Sequence, residues 1–345
     1  MALTFNDVLL CPQYSNIASR SQVNLETYIT PQLKIKFPLI SINMDCVTGI
    51  DMAIAMAKYG GVSFYPRFAT PEVQSSEIKQ ILDLGFLVIP AVGIKETEGH
   101  RVDLLVAAGA KIITIDIAHA HQQTCLDFIK NVKQKYSQLE IIAGVVGTYE
   151  GARDLFLAGA DAVRVGVGPG SICTTRIVTG SGIPQITAVI EAYRAGLEFS
   201  RPIIADGGTR NSGDVVKALA AGANAVVAGV QLAGTDESPG PVITIDGHKY
   251  KIFNASTSKA EKIKQYQKNK TDKPINYVNH FEGMESYVDY RGSVVNVLSQ
   301  IEAGLRSGLT YSGAINIEEL HQKAKFIRVS PLSVADYSHR GLANK

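Results

Sequence analysis

Leu157-Ala158-Gly159-Ala160-Asp161-Ala162-Val163-Arg164-Val165-Gly166-Val167 carries the reading that decides the fold. An amphipathic stretch ends there on a glycine, and a short β-branched run follows at once. The Ala-Gly-Ala phrase recurs at Ala108-Gly109-Ala110 and at Ala221-Gly222-Ala223, each time just before another such run. A glycine in that place can adopt the left-handed conformation that closes a helix, so the chain turns straight from helix to strand.

Working outward, eight runs of this kind are found: Phe37 to Asn43, Gly61 to Tyr65, Phe86 to Gly93, Ile112 to Ala118, Glu140 to Val146, Ala162 to Val167, Pro202 to Gly208 and Ala225 to Val230. They are apolar almost throughout rather than alternating, which suits parallel strands buried on both faces. Helical stretches lie between them, among them Asp51 to Tyr59, Leu126 to Tyr136, Ile186 to Ala195 and Asn211 to Ala221. Eight βα units with tight returns predict a closed α/β structure, a TIM-type (β/α)8 barrel forming one catalytic domain over residues 1–345. An open doubly wound sheet would need a dinucleotide fingerprint after the first strand, and none follows it.

What remains, residues 240–293, is rich in Lys, Asn and Ser and weak in periodicity. It is expected to form a long mobile flap after the eighth strand, beginning with a small hairpin around Asp246-Gly247.

Composition narrows the function. The 345 residues would hold two average domains, but they suit one barrel with extra loops equally well. A net charge of +2 with 19% charged residues offers no field for nucleic acid or membrane. The start, Met1-Ala2-Leu3-Thr4-Phe5-Asn6-Asp7, lacks the basic residues and apolar run of a signal peptide, so a cytoplasmic protein is expected. Cys11, Cys46, Cys125 and Cys173 are far apart with no Cys-x-x-Cys pair. That spacing speaks against zinc and a disulfide framework and leaves the thiol itself as the useful group.

Barrel enzymes carry their reactive groups where the strands end. The sixth strand runs into Gly166-Val167-Gly168-Pro169-Gly170-Ser171-Ile172-Cys173-Thr174-Thr175-Arg176. Such glycines let backbone wrap a ligand or an ion, and the loop then presents Cys173 among small polar neighbours. A free cysteine is often just a core residue, but at this position a nucleophile is the better expectation. The seventh strand ends in Asp206-Gly207-Gly208 and the eighth in Ala228-Gly229, where barrels often hold a phosphate. Asp206 is a candidate acceptor for ribose hydroxyls, or else a cap for its turn. Asp116, His119 and His121 suggest a metal only weakly, because the chain is leaving the strand there. The six lysines of Lys259 to Lys273 read as a solvated flap, since stacking aromatics are nearly absent.

These motifs are specific enough to name a likeness. The Gly168-to-Arg176 loop, Ile204-Ala205-Asp206-Gly207-Gly208, Gly234-Thr235-Asp236-Glu237-Ser238-Pro239-Gly240, Asn43-Met44-Asp45 and Gly304-Leu305-Arg306-Ser307-Gly308 resemble the IMP dehydrogenase and GMP reductase family. The resemblance runs from Thr4-Phe5-Asn6-Asp7 to Phe326-Ile327-Arg328-Val329. It implies that Cys173 attacks C2 of a purine nucleoside monophosphate while a nicotinamide cofactor exchanges hydride with that carbon. It further implies nucleotide contacts from Ser171, Asp206, Gly207, Gly208, Ala228, Gly229, Ala255 and Ser256, and cofactor contacts from Asp116, His119 and Arg164. A monovalent cation, potassium, would sit on carbonyls of Gly168, Gly170 and Cys173, and the assembly would be a homotetramer. In the reductase, Thr175 and Glu282, within Phe281-Glu282-Gly283-Met284, would handle protons of the departing ammonia.

A dehydrogenase must hydrolyse the covalent intermediate, whereas a reductase forms it by expelling ammonia. The family's dehydrogenases carry a water-activating Arg-Tyr pair on the flap. Between Gly240 and Ser293 this chain has no Arg-Tyr, and its only arginine there is Arg291, in Asp289-Tyr290-Arg291-Gly292. Ile78 to Gly85 also leads directly into Phe86, leaving no room for the regulatory CBS modules that dehydrogenases usually insert. NADPH-dependent reduction of GMP is therefore the leading expectation. NAD-dependent IMP dehydrogenase remains the alternative, supported by Ser212 to Ala220 and the Gly304-to-Gly308 phrase. Two departures leave a diverged purine-nucleotide reductase open as well: Val145 stands where the family places an asparagine, and Phe253-Asn254-Ala255-Ser256-Thr257 replaces a glycine-methionine stretch. A silent nucleotide-binding protein on the same barrel would not need the thiol.

Overall fold

The computed structural model describes residues 1–269 and 282–330. Eight strands, Leu39–Ser41, Val62–Tyr65, Ile89–Val92, Ile112–Asp116, Glu140–Val146, Ala162–Val165, Ile203–Asp206 and Ala225–Ala228, pair in parallel in chain order, and the eighth closes on the first. Val227 pairs with Ile40 across the closing seam. The expected (β/α)8 barrel is thus the observed fold.

The glycine signals act as read. Gly109, Gly159 and Gly222 have φ of 100°, 112° and 115°, and each ends a helical turn before its strand. Polar caps start the helices: Thr70 accepts from the Val73 N–H, Thr148 from Gly151 and Asn211 from Asp214. Helix Pro71–Asp83 passes through Gly85 into the strand Ile89–Val92 with nothing inserted between.

Strand side chains alternate between lumen and helix layer. The lower lumen is filled by Ile40, Val62, Ile89, Ile112, Ile142, Ala162, Ile204 and Ala225, with Ile29 and Ile35 packed against them from a two-stranded hairpin, Thr27–Tyr28 with Lys34–Ile35. Thr30 from that hairpin donates to Glu140, the first residue of the fifth strand, so the hairpin plugs the bottom of the barrel. The outward residues, such as Ile113, Ile141, Val163 and Ala205, form the larger core with the surrounding helices. Continuing the same alternation upward turns Phe64, Thr114, Asp116, Arg164 and Asp206 inward at the other end. The polar groups therefore gather where the strands finish.

The segment after the eighth strand is more regular than its composition promises. Val242–Ile245 and His248–Asn254 form the expected hairpin around Asp246 and Gly247, whose φ values are 51° and 81°. Glu285–Asp289 adds a third antiparallel strand. Lys251 fixes this sheet to the barrel, because its buried ammonium donates to the carbonyls of Thr235 and Ser238. Lys259–Asn269 is helical, whereas 270–281, including the end of the lysine run and Phe281, lies outside the described residues.

Candidate active site

Arg164 is the largest fully buried side chain and the centre of the lumen's polar end. Its Nε and Nη2 donate to Oδ2 of Asp206 at 2.9 and 2.6 Å, Nη2 also to Asn43 Oδ1 at 3.0 Å, and Nη1 to Thr114 Oγ1 at 3.3 Å and Asp116 Oδ1 at 3.4 Å. Its guanidinium stacks on Phe64 at 4.6 Å from the ring centroid. These partners offset the desolvation cost of a buried cation and tie the sixth strand to the fourth, the seventh and the turn after the first. Burial raises the Asp206 carboxyl above its ordinary value, with the Arg164 charge opposing. Arg67 reaches Asp116 from the other side and donates to its backbone carbonyl at 3.1 Å. His121 turns away to Asp154 at 2.9 Å, and His119 is exposed. Among the described residues no three His, Cys, Asp or Glu side chains gather as a metal site.

Beside this network is a cavity of about 160 Å³. It brings together Gly170, Ser171, Cys173, Gly207, Gly208, Gly229, Ala255, Ser256 and Glu282, as the sequence anticipated. Asp206, Ala228, Asp116, His119 and Arg164 do not line it; the two aspartates and Arg164 form the network behind it. Sequence reasoning did not pick out Ile42 and Val230 as lining, because apolar residues at strand ends look like core, nor Thr209, which follows the two glycines with no signal of its own. Gly207 and Gly208 have φ of 92° and 87°, and a Cβ on Gly207 would lie 3.0 Å from Pro169 Cγ. Only glycine lets the backbone border the cavity there.

Cys173 is half-buried, and its Sγ lies 3.2 Å from Thr175 Oγ1, which donates to Glu282 Oε2 at 2.7 Å. Backbone pairing explains this meeting of distant residues: Cys173 forms a bridge with Gly283, the Thr174 N–H donates to the Glu282 carbonyl, and the Met284 N–H to that of Ile172. Gly283 is needed at the crossing, since a Cβ would stand 2.2 Å from that of Ala255. The result is a thiol and a carboxylate at the wall of a small cavity, joined through the Thr175 hydroxyl. That arrangement can activate sulfur for attack and pass its proton onward.

The profile of the IMP dehydrogenase / GMP reductase domain matches residues 2–339. The chain belongs to that family. It is accordingly a purine nucleotide oxidoreductase. Inosine-5'-monophosphate dehydrogenase of Nitrosopumilus maritimus is 34% identical, with 97% of each chain covered, and GMP reductase of Leishmania donovani is 30% identical over 95% of this chain and 94% of its own. The crystal structure of a Trypanosoma brucei GMP reductase in complex with guanosine 5'-monophosphate superposes with a TM-score of 0.93 at 28% identity, covering 99% of this chain and 98% of that one. Family names therefore fall on both reactions. No helix among the described residues is long and apolar enough to cross a membrane.

Proposed function

We propose that the protein is a GMP reductase, converting GMP to IMP and ammonia with NADPH. The observation that carries this reading is the line Cys173–Thr175–Glu282, set in a chain whose 240–293 segment has no Arg-Tyr pair. Sulfur of Cys173 bonds to C2 of the purine, and the C2–N bond to the exocyclic amine breaks. The thiol's proton travels through the Thr175 hydroxyl to Glu282, which delivers it to the amine so that ammonia leaves. NADPH, when bound, supplies the hydride that replaces sulfur at C2, and Cys173 departs as thiolate. Balance is kept without water.

The glycine backbone of Gly207, Gly208 and Gly229 borders the cavity closely enough for a phosphate, with Ser171 and Ser256 as hydroxyl donors and Ala255 leaving room for the base. Oδ2 of Asp206 is committed to Arg164, which leaves Oδ1 as the acceptor for a ribose hydroxyl. Asp116, steadied between Arg67 and Arg164, is the carboxylate best placed to meet the cofactor, with His119 on the exposed turn beyond it. Val145 contributes no polar side-chain group, so its part is limited to backbone and packing.

IMP dehydrogenase is the second reading, favoured by the name borne by the 34% identical relative from Nitrosopumilus maritimus. It would require water activated from Glu282 through Thr175. Absorbance at the nicotinamide band separates the two. Purified protein with GMP and NADPH should consume NADPH and release ammonia, and Cys173→Ala should not. Formation of NADH from IMP and NAD would establish the dehydrogenase in its place.

A further inference from the structure

The cavity beside Cys173 has to take an anionic ligand without a cation on its wall. Among the described residues that line it there is no lysine or arginine, and the charged side chain there is Glu282, bonded to Thr175 at the thiol end. A phosphate in this cavity must be met by neutral donors, so each hydroxyl and amide near the glycine turns matters.

Thr209 and Gln231 stand at those turns. Thr209 follows Gly207 and Gly208 at the end of the seventh strand and lines the cavity. Gln231 follows Gly229 and Val230 at the end of the eighth, on the short helix Val230–Ala233, and is 2% exposed. The Thr209 hydroxyl meets the Gln231 amide, Oγ1 to Oε1 at 3.4 Å, so one contact links the two turns. Nε2 of the same amide is buried with no hydrogen-bond partner. An apolar side chain would fill that space without the cost of an unpaired N–H.

A half-turn of the amide gives the nitrogen its acceptor. With Oε1 as its partner, Thr209 offers the cavity only lone pairs, which a phosphate repels. With Nε2 donating to Thr209 Oγ1, the hydroxyl hydrogen is free to point at an oxygen in the cavity. We propose that the Thr209 hydroxyl binds the phosphate of the nucleotide, and that Gln231 is the positioning residue whose amide N–H aims it there. Val230, which also lines the cavity, has no polar side-chain group to share the task. The inference rests on a nucleoside monophosphate as the ligand of the proposed function, but not on which purine reaction follows.

The test is the protection that IMP and inosine give Cys173 against iodoacetamide, followed by the mass of its peptide. Cys173 lines the same cavity, so an occupant slows its alkylation whether or not it is turned over. Thr209→Val keeps the shape and loses the hydroxyl. It should weaken protection by IMP about 10- to 100-fold, as for a lost hydrogen bond to a charged group, and protection by inosine less than about threefold. Thr209→Ser restores the hydroxyl and should stay within about threefold of wild type for both ligands. Gln231→Met should weaken IMP by about three- to tenfold and spare inosine, and added to Thr209→Val it should cost nothing more, because the amide acts through the hydroxyl.

Tighter or unchanged IMP binding in Gln231→Met would mean that the amide only takes up the Thr209 hydrogen, and would overturn its positioning role. Equal losses for IMP and inosine in Thr209→Val, or no loss at all, would overturn the phosphate contact. So would a wild type that inosine protects as well as IMP does. A wild type that neither ligand protects would overturn the inference together with the nucleotide reading. Protection by IMP in a protein that does not consume NADPH with GMP would overturn the reductase alone and leave Thr209 and Gln231 in their roles.

Discussion

Thr175 Oγ1 donates to Glu282 Oε2 at 2.7 Å across a separation of 107 residues, and the two are held there by backbone pairing between Cys173 and Gly283. The proposed proton relay would therefore be built by the segment that follows the eighth strand as much as by the barrel. Replacing Glu282 with glutamine keeps the size and a hydrogen-bonding group but removes the basic oxygen. Turnover of GMP should fall by about 10²- to 10⁴-fold, the usual worth of a positioned acid–base group. Binding of GMP, measured by calorimetry, should stay within about threefold of wild type, because the loss belongs to the chemical step. A variant that keeps full turnover would remove Glu282 from the reaction.

That pairing also marks where the sequence stops being legible. The Ala-Gly-Ala returns, the eight runs and the Cys173 loop are local patterns, and each carries its own structural meaning. Glu282 could be placed beside Thr175 only through a family likeness, since nothing local shows that Gly283 will cross the Cys173 loop. The hairpin of Val242–Ile245 and His248–Asn254 was legible from its Asp246-Gly247 turn, but the third strand, Glu285–Asp289, was hidden for a different reason. That strand is largely exposed, and Glu285-Ser286-Tyr287-Val288-Asp289 has too few apolar residues for an alternation to announce it. The contact of Arg67 with Asp116 was not legible, because the two are 49 residues apart and only the closing of the barrel brings them together.

Gly283 has no space for a side chain: an alanine there would set its Cβ 2.2 Å from that of Ala255 and 3.0 Å from Thr257 Oγ1. Gly283→Ala must push the returning strand away from the Cys173 loop. Unfolding in urea should show a loss of about 1–3 kcal/mol, the range for overpacking a fitted site. Turnover should fall with it, as Glu282 leaves Thr175. Gly99, in the helix Glu98–Ala107 with open space around it, is the control. Gly99→Ala should gain up to about 1 kcal/mol from helix propensity. Equal stability of both variants would mean that the crossing is looser than its distances indicate.

Arg164→Met leaves a side chain of similar length on the ring of Phe64 but strips Asp206 of both its bonds and Asp116 of one partner. Asp206, being buried, would be left as an uncompensated charge or forced to take up a proton. Breaking a buried pair in this way costs about 3–5 kcal/mol. Adding Asp206→Asn to the methionine variant should recover part of that cost, since the buried charge is then gone. The urea midpoints of the two variants measure this directly. If the double variant is no more stable than the single, the penalty arises from packing and not from charge.

His321 gives the fold a pH dependence that does not involve the cavity. Its Nε2 lies 3.0 Å from the Ala223 carbonyl, and its ring meets the edge of Tyr193 at 5.1 Å, on the helix Ile317–Lys323 that packs near the end of the Ala-Gly-Ala turn. Burial is the largest influence and lowers the imidazole below its ordinary value of 6.5, against the raising effects of the Ala223 carbonyl and the Glu318 charge. The unfolded chain therefore takes up a proton at a higher pH than the folded protein. The associated stability is complete above the unfolded value and is lost as pH falls below 6.5 toward the folded one. For one proton the slope is at most about 1.4 kcal/mol per pH unit. His321→Gln can still donate to Ala223 but does not titrate. Urea unfolding between about pH 7.5 and 5.5 should thus be steeper in its pH dependence for wild type than for the variant, because the free histidine charges in that window. Parallel profiles would show that the imidazole titrates alike in both states, and the acid sensitivity would then have to come from the carboxylates.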